Sequence, residues 1–296
     1  MIGKLLWKKI KKNIGKINYK QFCEKSSQKG IRVRGENLNI QSLSEKVPIE
    51  ETIKGIEFIK HERNIEKLKS FMDDIMPFGE KTVVKYRNKF IQRFVETEGD
   101  EIIYTPLLKF INDTGSFQTK KEIIYFIVCV TSDAVGEIVK GFYDGSIPKQ
   151  IGTEELIEVF KTAMPDAKDS SVKKTYSVVT TILEDFGILN SKKDESAKRK
   201  KIFVLNNNIR SSHEGILFNL YYEFIKLKGN KMPKEESVLN CDTFKYFLMS
   251  DLMKKMHLKW MLEQGHIEHY MMFGNSNYQF AYDSPALLVK KVIGND

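Results

Sequence analysis

Between residues 171 and 186 apolar side chains return at three- and four-residue steps: Val172, Tyr176, Val179, Ile182, Leu183 and Phe186. That spacing puts them on one face of a helix. The other side reads Ser171, Lys173, Lys174, Thr175, Ser177, Thr180 and Thr181, with acids only at Glu184 and Asp185. Asp169 or Ser170 stands where a capping residue belongs, and Gly187 stops the helix. Just upstream, IGTEELIEVFKTAMP predicts a helix over 153–164, with Thr153 as its cap and Glu154 and Glu155 favourable in its first turn. Just downstream, two short apolar segments flank a charged tract, which predicts a hairpin over 188–204 with a long charged tip.

The same reading extends along the chain. In residues 4–17, Leu6, Ile10, Ile14 and Ile17 share a helical face, with lysines mostly elsewhere. Residues 27–48 read as turns and short extended pieces. Helices are predicted over 49–60 and 62–76. A further helix starts near Glu80, where Val83, Val84, Tyr86, Phe90, Ile91 and Phe94 face inward and Lys81, Lys85, Arg87, Lys89 and Arg93 face outward. A helical block follows over 102–143 and ends at Gly141, Gly145 and Pro148. Beyond the hairpin, EGILFNLYYEFIKLKG and CDTFKYFLMSDLMKKMHLKWMLEQG predict helices, and YMMFGNSNYQFAYDS alternates like strands. The expected fold is mainly α, a multi-helix protein containing a winged helix-turn-helix unit with a short β-hairpin wing. Three units are expected: an N-terminal helical domain with a basic arm over 1–147, the winged-helix unit over 148–210, and a mostly helical C-terminal region over 211–296.

Charge sharpens this picture. The chain of 296 residues carries a net +9, and residues 1–36 alone hold eleven Lys/Arg against two Asp/Glu. The arm therefore holds the whole excess, and the remainder is neutral. Such an arm points to a polyanion, nucleic acid or an acidic membrane surface, while the first reading of its apolar stripe is docking on the protein's own core. The longest apolar run, IIYFIVCV, is far below the roughly 20 residues that span a bilayer. Cys23, Cys129 and Cys241 are scattered and odd in number, which suits a reducing cytoplasm.

Within the 148–210 unit, helix, short turn and helix match helix-turn-helix order, and the hairpin takes the place of a wing. A reading helix meets DNA with its N-terminal end, where lysines and hydroxyls contact phosphate and bases. Lys173, Lys174, Ser177 and Thr181 are the candidates there. The wing offers Lys192, Lys193, Lys198, Arg199, Lys200 and Lys201 against Asp194 and Glu195. Lys81, Lys85, Arg87, Lys89 and Arg93 form a second candidate surface, and Lys8 and Lys12 represent the arm. The alternative is a wing and helix that serve protein contacts.

Catalytic chemistry is hard to find. The chain has no GxxxxGK[ST], no GxGxxG and no GxSxG. His266 and His269 are three apart, a spacing that on a helix would bring both to one metal, with His257 or Cys241 as the nearby third ligand. Asp166 and Asp169 fall in the inter-helix turn, and Glu223 with Lys226 makes a Glu-x-x-Lys on a helix. None of these is a nuclease pattern, so a binding protein without catalytic residues, metal or cofactor is expected.

EIIYFIVCVTSDAVGEIVKGFY (122–143), IGTEELIEVFKTA (151–163) and SSVKKTYSVVTTILEDFGILN (170–190) together resemble the BrxA family of bacterial BREX phage-defence systems, with KTVVKYRNKFIQRF (81–94) as a further similar segment. The resemblance covers about half the chain, and the basic first 36 residues depart from it. It implies a mainly helical, non-enzymatic, cytoplasmic protein that binds double-stranded DNA and supports other defence-system subunits, among them a methyltransferase and an ATPase.

Overall fold

A computed structural model describes residues 47–165, 167–193, 201–206, 209, 211–272 and 274–294. The basic arm and the predicted elements before residue 47 lie outside the described residues. Among the described residues the fold is mainly α, with three small antiparallel sheets. Helices α1 (Ile49–His61), α2 (Ile65–Ile75) and α3 (Glu80–Phe94) lead into a hairpin of β1 (Glu96–Glu98) and β2 (Glu101–Ile103). Helices α4 (Pro106–Asp113), α5 (Phe117–Thr131) and α6 (Asp133–Tyr143) follow. Next come β3 (Gln150–Gly152), α7 (Thr153–Ala163), α8 (Asp169–Asp185), β4 (Leu189–Lys193) and β5 (Lys201–Leu205). The remainder is α9 (His213–Tyr221), a π-helical turn (Tyr222–Leu227), α10 (Glu235–Leu239), α11 (Asp242–Tyr246), α12 (Asp251–Glu263), the hairpin β6 (Ile267–Met272) and β7 (Asn275–Phe280), and α13 (Pro285–Ile293).

One contiguous apolar core runs from Val47 to Val289. Helix α5 is its axis: Thr119 and every residue from Glu122 to Cys129 are buried, and α1, α3, α4, α6, α9 and α11 pack around it. A helix buried on all sides loses the amphipathic contrast that marks its ends, so its boundaries are set by caps. Ser116 accepts from Thr119 N, and Pro106 after the capping Thr105 starts α4. The expected unbroken block over 102–143 is therefore three helices preceded by a strand. Helix α2 begins at Ile65 and not at 62, because the Asn64 side chain caps it and the backbone of Arg63 and Ile65 hydrogen-bonds to Ile102 and Asp100.

Two buried carboxylates tie distant segments together. Glu122 accepts both Ser212 N (3.0 Å) and Ser212 Oγ (2.5 Å), which fixes the start of α9 on α5. Gly215 is required there, because a Cβ would stand 2.4 Å from Glu122 Oε2. Burial pushes the Glu122 carboxyl above its usual range, opposed by its bonds to Ser212 and Gln118. Glu223, in the π-helical turn, accepts from Asp242 N (3.1 Å), Thr243 N (2.8 Å) and Thr243 Oγ1 (2.6 Å), and pairs with Lys228 at 2.5 Å. It caps α11 from outside. Its partner is thus Lys228, and Lys226 turns instead to Glu96 at 3.8 Å, so the Glu-x-x-Lys of the sequence is not a joint site.

The predicted helix over 241–265 is split at Phe247–Ser250, where Leu248 adopts φ +52° and Ser250 caps α12. The strand-like C-terminal alternation is the hairpin β6–β7. No helix among the described residues is long and apolar enough to cross a membrane.

Candidate nucleic-acid interface

The order α6, β3, α7, α8, β4, β5 closes on a three-stranded antiparallel sheet in the order β3-β5-β4. Each joint has a local cause. The Glu155 side chain accepts from Gly152 N at 3.1 Å, so Gly152, not Thr153, is the cap position of α7. Thr153 Oγ1 is used elsewhere: it bonds both the carbonyl and the N–H of Lys201, each at 3.0 Å, and so ties β5 to the first turn of α7. Helix α8 starts at Asp169, which lies in its first turn, and Lys168 occupies the cap position without a side-chain bond. Neither Asp169 nor Ser170 serves as the cap that the sequence suggested.

On α8, Lys173, Lys174 and Ser177 are exposed, and Thr181 is partly buried with its Oγ1 donating to Ser177 O at 2.8 Å. Thr175 and Thr180 belong to the packed side, contrary to the sequence reading. Their hydroxyls donate to the Ser171 and Tyr176 carbonyls at 2.9 Å, which satisfies them within the helix while their methyls pack. Tyr176 is partly buried and meets Phe160 and Phe203 edge-on at 6.0 and 6.1 Å. Burial pushes its phenol up, opposed by a hydrogen bond with Thr153.

In the hairpin, Lys192 stands opposite Ile202 and Lys193 opposite Lys201. Lys192, Lys193 and Lys201 are exposed, and Lys201 Nζ lies 3.5 Å from Glu184 Oε1. Lys198, Arg199 and Lys200 lie outside the described residues, as do Lys8 and Lys12.

The α3 surface differs from expectation. Lys81 and Lys85 are exposed, whereas Lys89 and Arg93 are partly buried and Lys89 donates to Gln92 at 2.8 Å. Arg87 is only 18% exposed and is turned onto Asp73 of α2. Val84, expected inside, is 37% exposed. The basic side of α3 is therefore interrupted at its centre.

The histidines take other positions than a helical pair. His269 lies in β6 and bonds Ser276 Oγ at 2.5 Å, and His266 precedes that strand beside Tyr282. Among the described residues no three His, Cys, Asp or Glu side chains group as metal ligands. Cys129 and Cys241 are buried free thiols, and Cys23 lies outside the described residues. A shallow groove of about 340 Å³ lies between β3, the start of α7 and Ile202. It is flanked by Glu154 and Glu155, which suits no phosphate.

The Thr153–Lys201 joint leaves one trace in the sequence, a hydroxyl on the first residue of a helix entered directly from a strand, and that trace also reads as a cap. Compared with protein-family models, curated proteins and solved structures, the chain has no significant match.

Proposed function

We propose that this chain is a DNA-binding accessory protein that engages double-stranded DNA through a winged helix-turn-helix unit over 148–210, with the basic arm adding affinity. In this reading α7 and α8 are the helix-turn-helix, α8 is the reading helix and β4–β5 the wing. The observation that carries it is the exposed Lys173–Lys174–Ser177 strip at the N-terminal end of α8, with the lysine-bearing hairpin on the same unit. Large aromatic side chains of the unit, Phe160, Phe186 and Phe203, are buried. Single-strand binding would use them as exposed stacking platforms, so duplex phosphate is the better partner. By resemblance to the BrxA family the proposal extends to a non-catalytic cytoplasmic component of a BREX-like phage-defence system, flanked by helical units over 1–147 and 211–296.

Changing Lys173 and Lys174 to glutamate tests the reading. Neither belongs to the packed face of α8, and glutamate near a helix N-terminus is mildly favourable. Duplex affinity should fall at least about tenfold, roughly 1.4 kcal/mol, at unchanged melting temperature. Parent-like binding removes α8 as the reading helix.

A second reading, a protein-interaction scaffold, is favoured by Leu252, Met256 and Met271, which are 70, 56 and 70% exposed. Duplex binding absent at low salt, with a partner retained through those residues, would establish it.

A further inference from the structure

Resting on the duplex-binding reading, we infer that Lys193 and Lys201 form a phosphodiester-binding pair at the base of the wing, and that Glu184 holds Lys201 as an internal counter-ion until DNA displaces it. The two lysines stand directly opposite each other on adjacent strands. Cross-strand neighbours point to the same face, and like charges there repel. An anion meets one member of the pair: Glu184 Oε1 lies 3.5 Å from Lys201 Nζ. Glu184 itself is in the last turn of α8, where the helix dipole disfavours a carboxylate. Neither the lysine pair nor the glutamate is well placed alone, and each offsets the other.

The pair is held in place by main chain, not by the ion pair. Lys201 N and O are both bonded to Thr153 Oγ1, so the wing stays docked on α7 when its side chain changes partner. The Lys201 side chain is 51% exposed, with Nζ 5.9 Å from the Phe203 ring centre. It can therefore exchange the carboxylate for a phosphate by rotating its terminal bonds. A phosphate arriving at Lys193 and Lys201 meets two cations, whereas Glu184 meets one closely. Binding a phosphate at this pair thus releases one intramolecular contact, Glu184 with Lys201, which lowers the net affinity there and favours polyanions that reach both lysines.

The test is a double-mutant cycle on the full chain, reading affinity for a fluorescent duplex at two salt concentrations. Glu184→Gln should tighten binding about fivefold, the equivalent of an exposed ion pair of about 1 kcal/mol. Lys201→Gln should weaken it. The gain from Glu184→Gln should vanish in the Lys201→Gln background, because no latch remains to open. Melting curves of all variants check that the Thr153 tether keeps the fold. An equal gain with and without the Lys201 ammonium would show only general repulsion by Glu184 and overturn the latch, as would no gain at all. A parent chain that binds no duplex at low salt overturns the duplex-binding reading itself, a result visible before any variant is compared.

Discussion

His257 shows how much one buried side chain can couple this fold to its solvent. It is 5% exposed on α12, its Nε2 lies 3.1 Å from Ser211 Oγ, and its ring meets that of His213 at 4.6 Å. Burial, with the His213 ring as a second cause, lowers its pKa to about 4. His213 is in turn stacked on Trp260 at 4.9 Å, so the His257 ring is enclosed by rings and the Ser211 hydroxyl. The folded pKa lies below the ordinary 6.5, so the unfolded chain binds the proton first. The stability this group contributes is complete above about pH 6.5 and is lost as pH falls towards about 4, with a size of roughly 3 kcal/mol. His266, also held below its ordinary value by burial, acts in the same direction. Urea denaturation across this range should show stability falling with acid, and His257→Gln should flatten that fall. A variant that keeps the parent's pH slope would remove His257 as its source.

At the scale of elements, what was legible depended on whether one face or one bond decided the outcome. The stripe of α8 was readable because Val172, Val179, Ile182 and Leu183 are all buried and Lys173 and Lys174 all exposed. Thr175 and Thr180 were misread because a threonine buries as easily as a valine once its hydroxyl reaches the carbonyl four residues back. The hairpin after Gly187 and the C-terminal alternation both proved to be paired strands. The break within 241–265 is hidden in the sequence because Phe247, Leu248 and Met249 carry the apolar run through it. The breaks within 102–143, by contrast, fall at Thr105–Pro106, at Asn112–Ser116 and at Ser132–Asp133, turn and cap signals that the reading of one helical block passes over. There the ends are set by Ser116, by Ser250, and by the turn at Leu248. Nor could spacing reveal that Glu223 caps a helix beginning 19 residues later. Replacing Glu223 by alanine leaves the Asp242 and Thr243 amides without their acceptor and Lys228 without its partner. We expect a loss of about 3 kcal/mol, with hydrogen exchange at those two amides accelerated beyond the change in global stability. Glu223→Gln keeps a carbonyl acceptor for the amides and should lose less. Equal losses would mean that charge, not capping, is the role of Glu223.

For the whole molecule the charge distribution makes the sharpest statement. The net +9 resides in residues 1–36, while the rest of the chain is neutral, so the body that carries the proposed reading helix attracts DNA only through local clusters. Local clusters choose where contact is made, and a basic arm adds affinity without choosing. The two contributions should separate in salt. Each phosphate neutralised adds about −0.9 to the slope of log K against log salt. Deleting residues 1–20 removes seven lysines. If the arm lies on DNA, the deletion should weaken duplex binding and flatten the slope by several units, while leaving the relative effect of Lys173→Glu and Lys174→Glu unchanged. The apolar stripe of Leu6, Ile10, Ile14 and Ile17 makes circular dichroism of the truncated chain a necessary companion measurement, because docking of that stripe on the core would appear as lost stability. A truncated chain that folds normally and keeps the parent's slope would assign the arm to another partner, and α8 and the wing would then account for the whole of the electrostatic affinity.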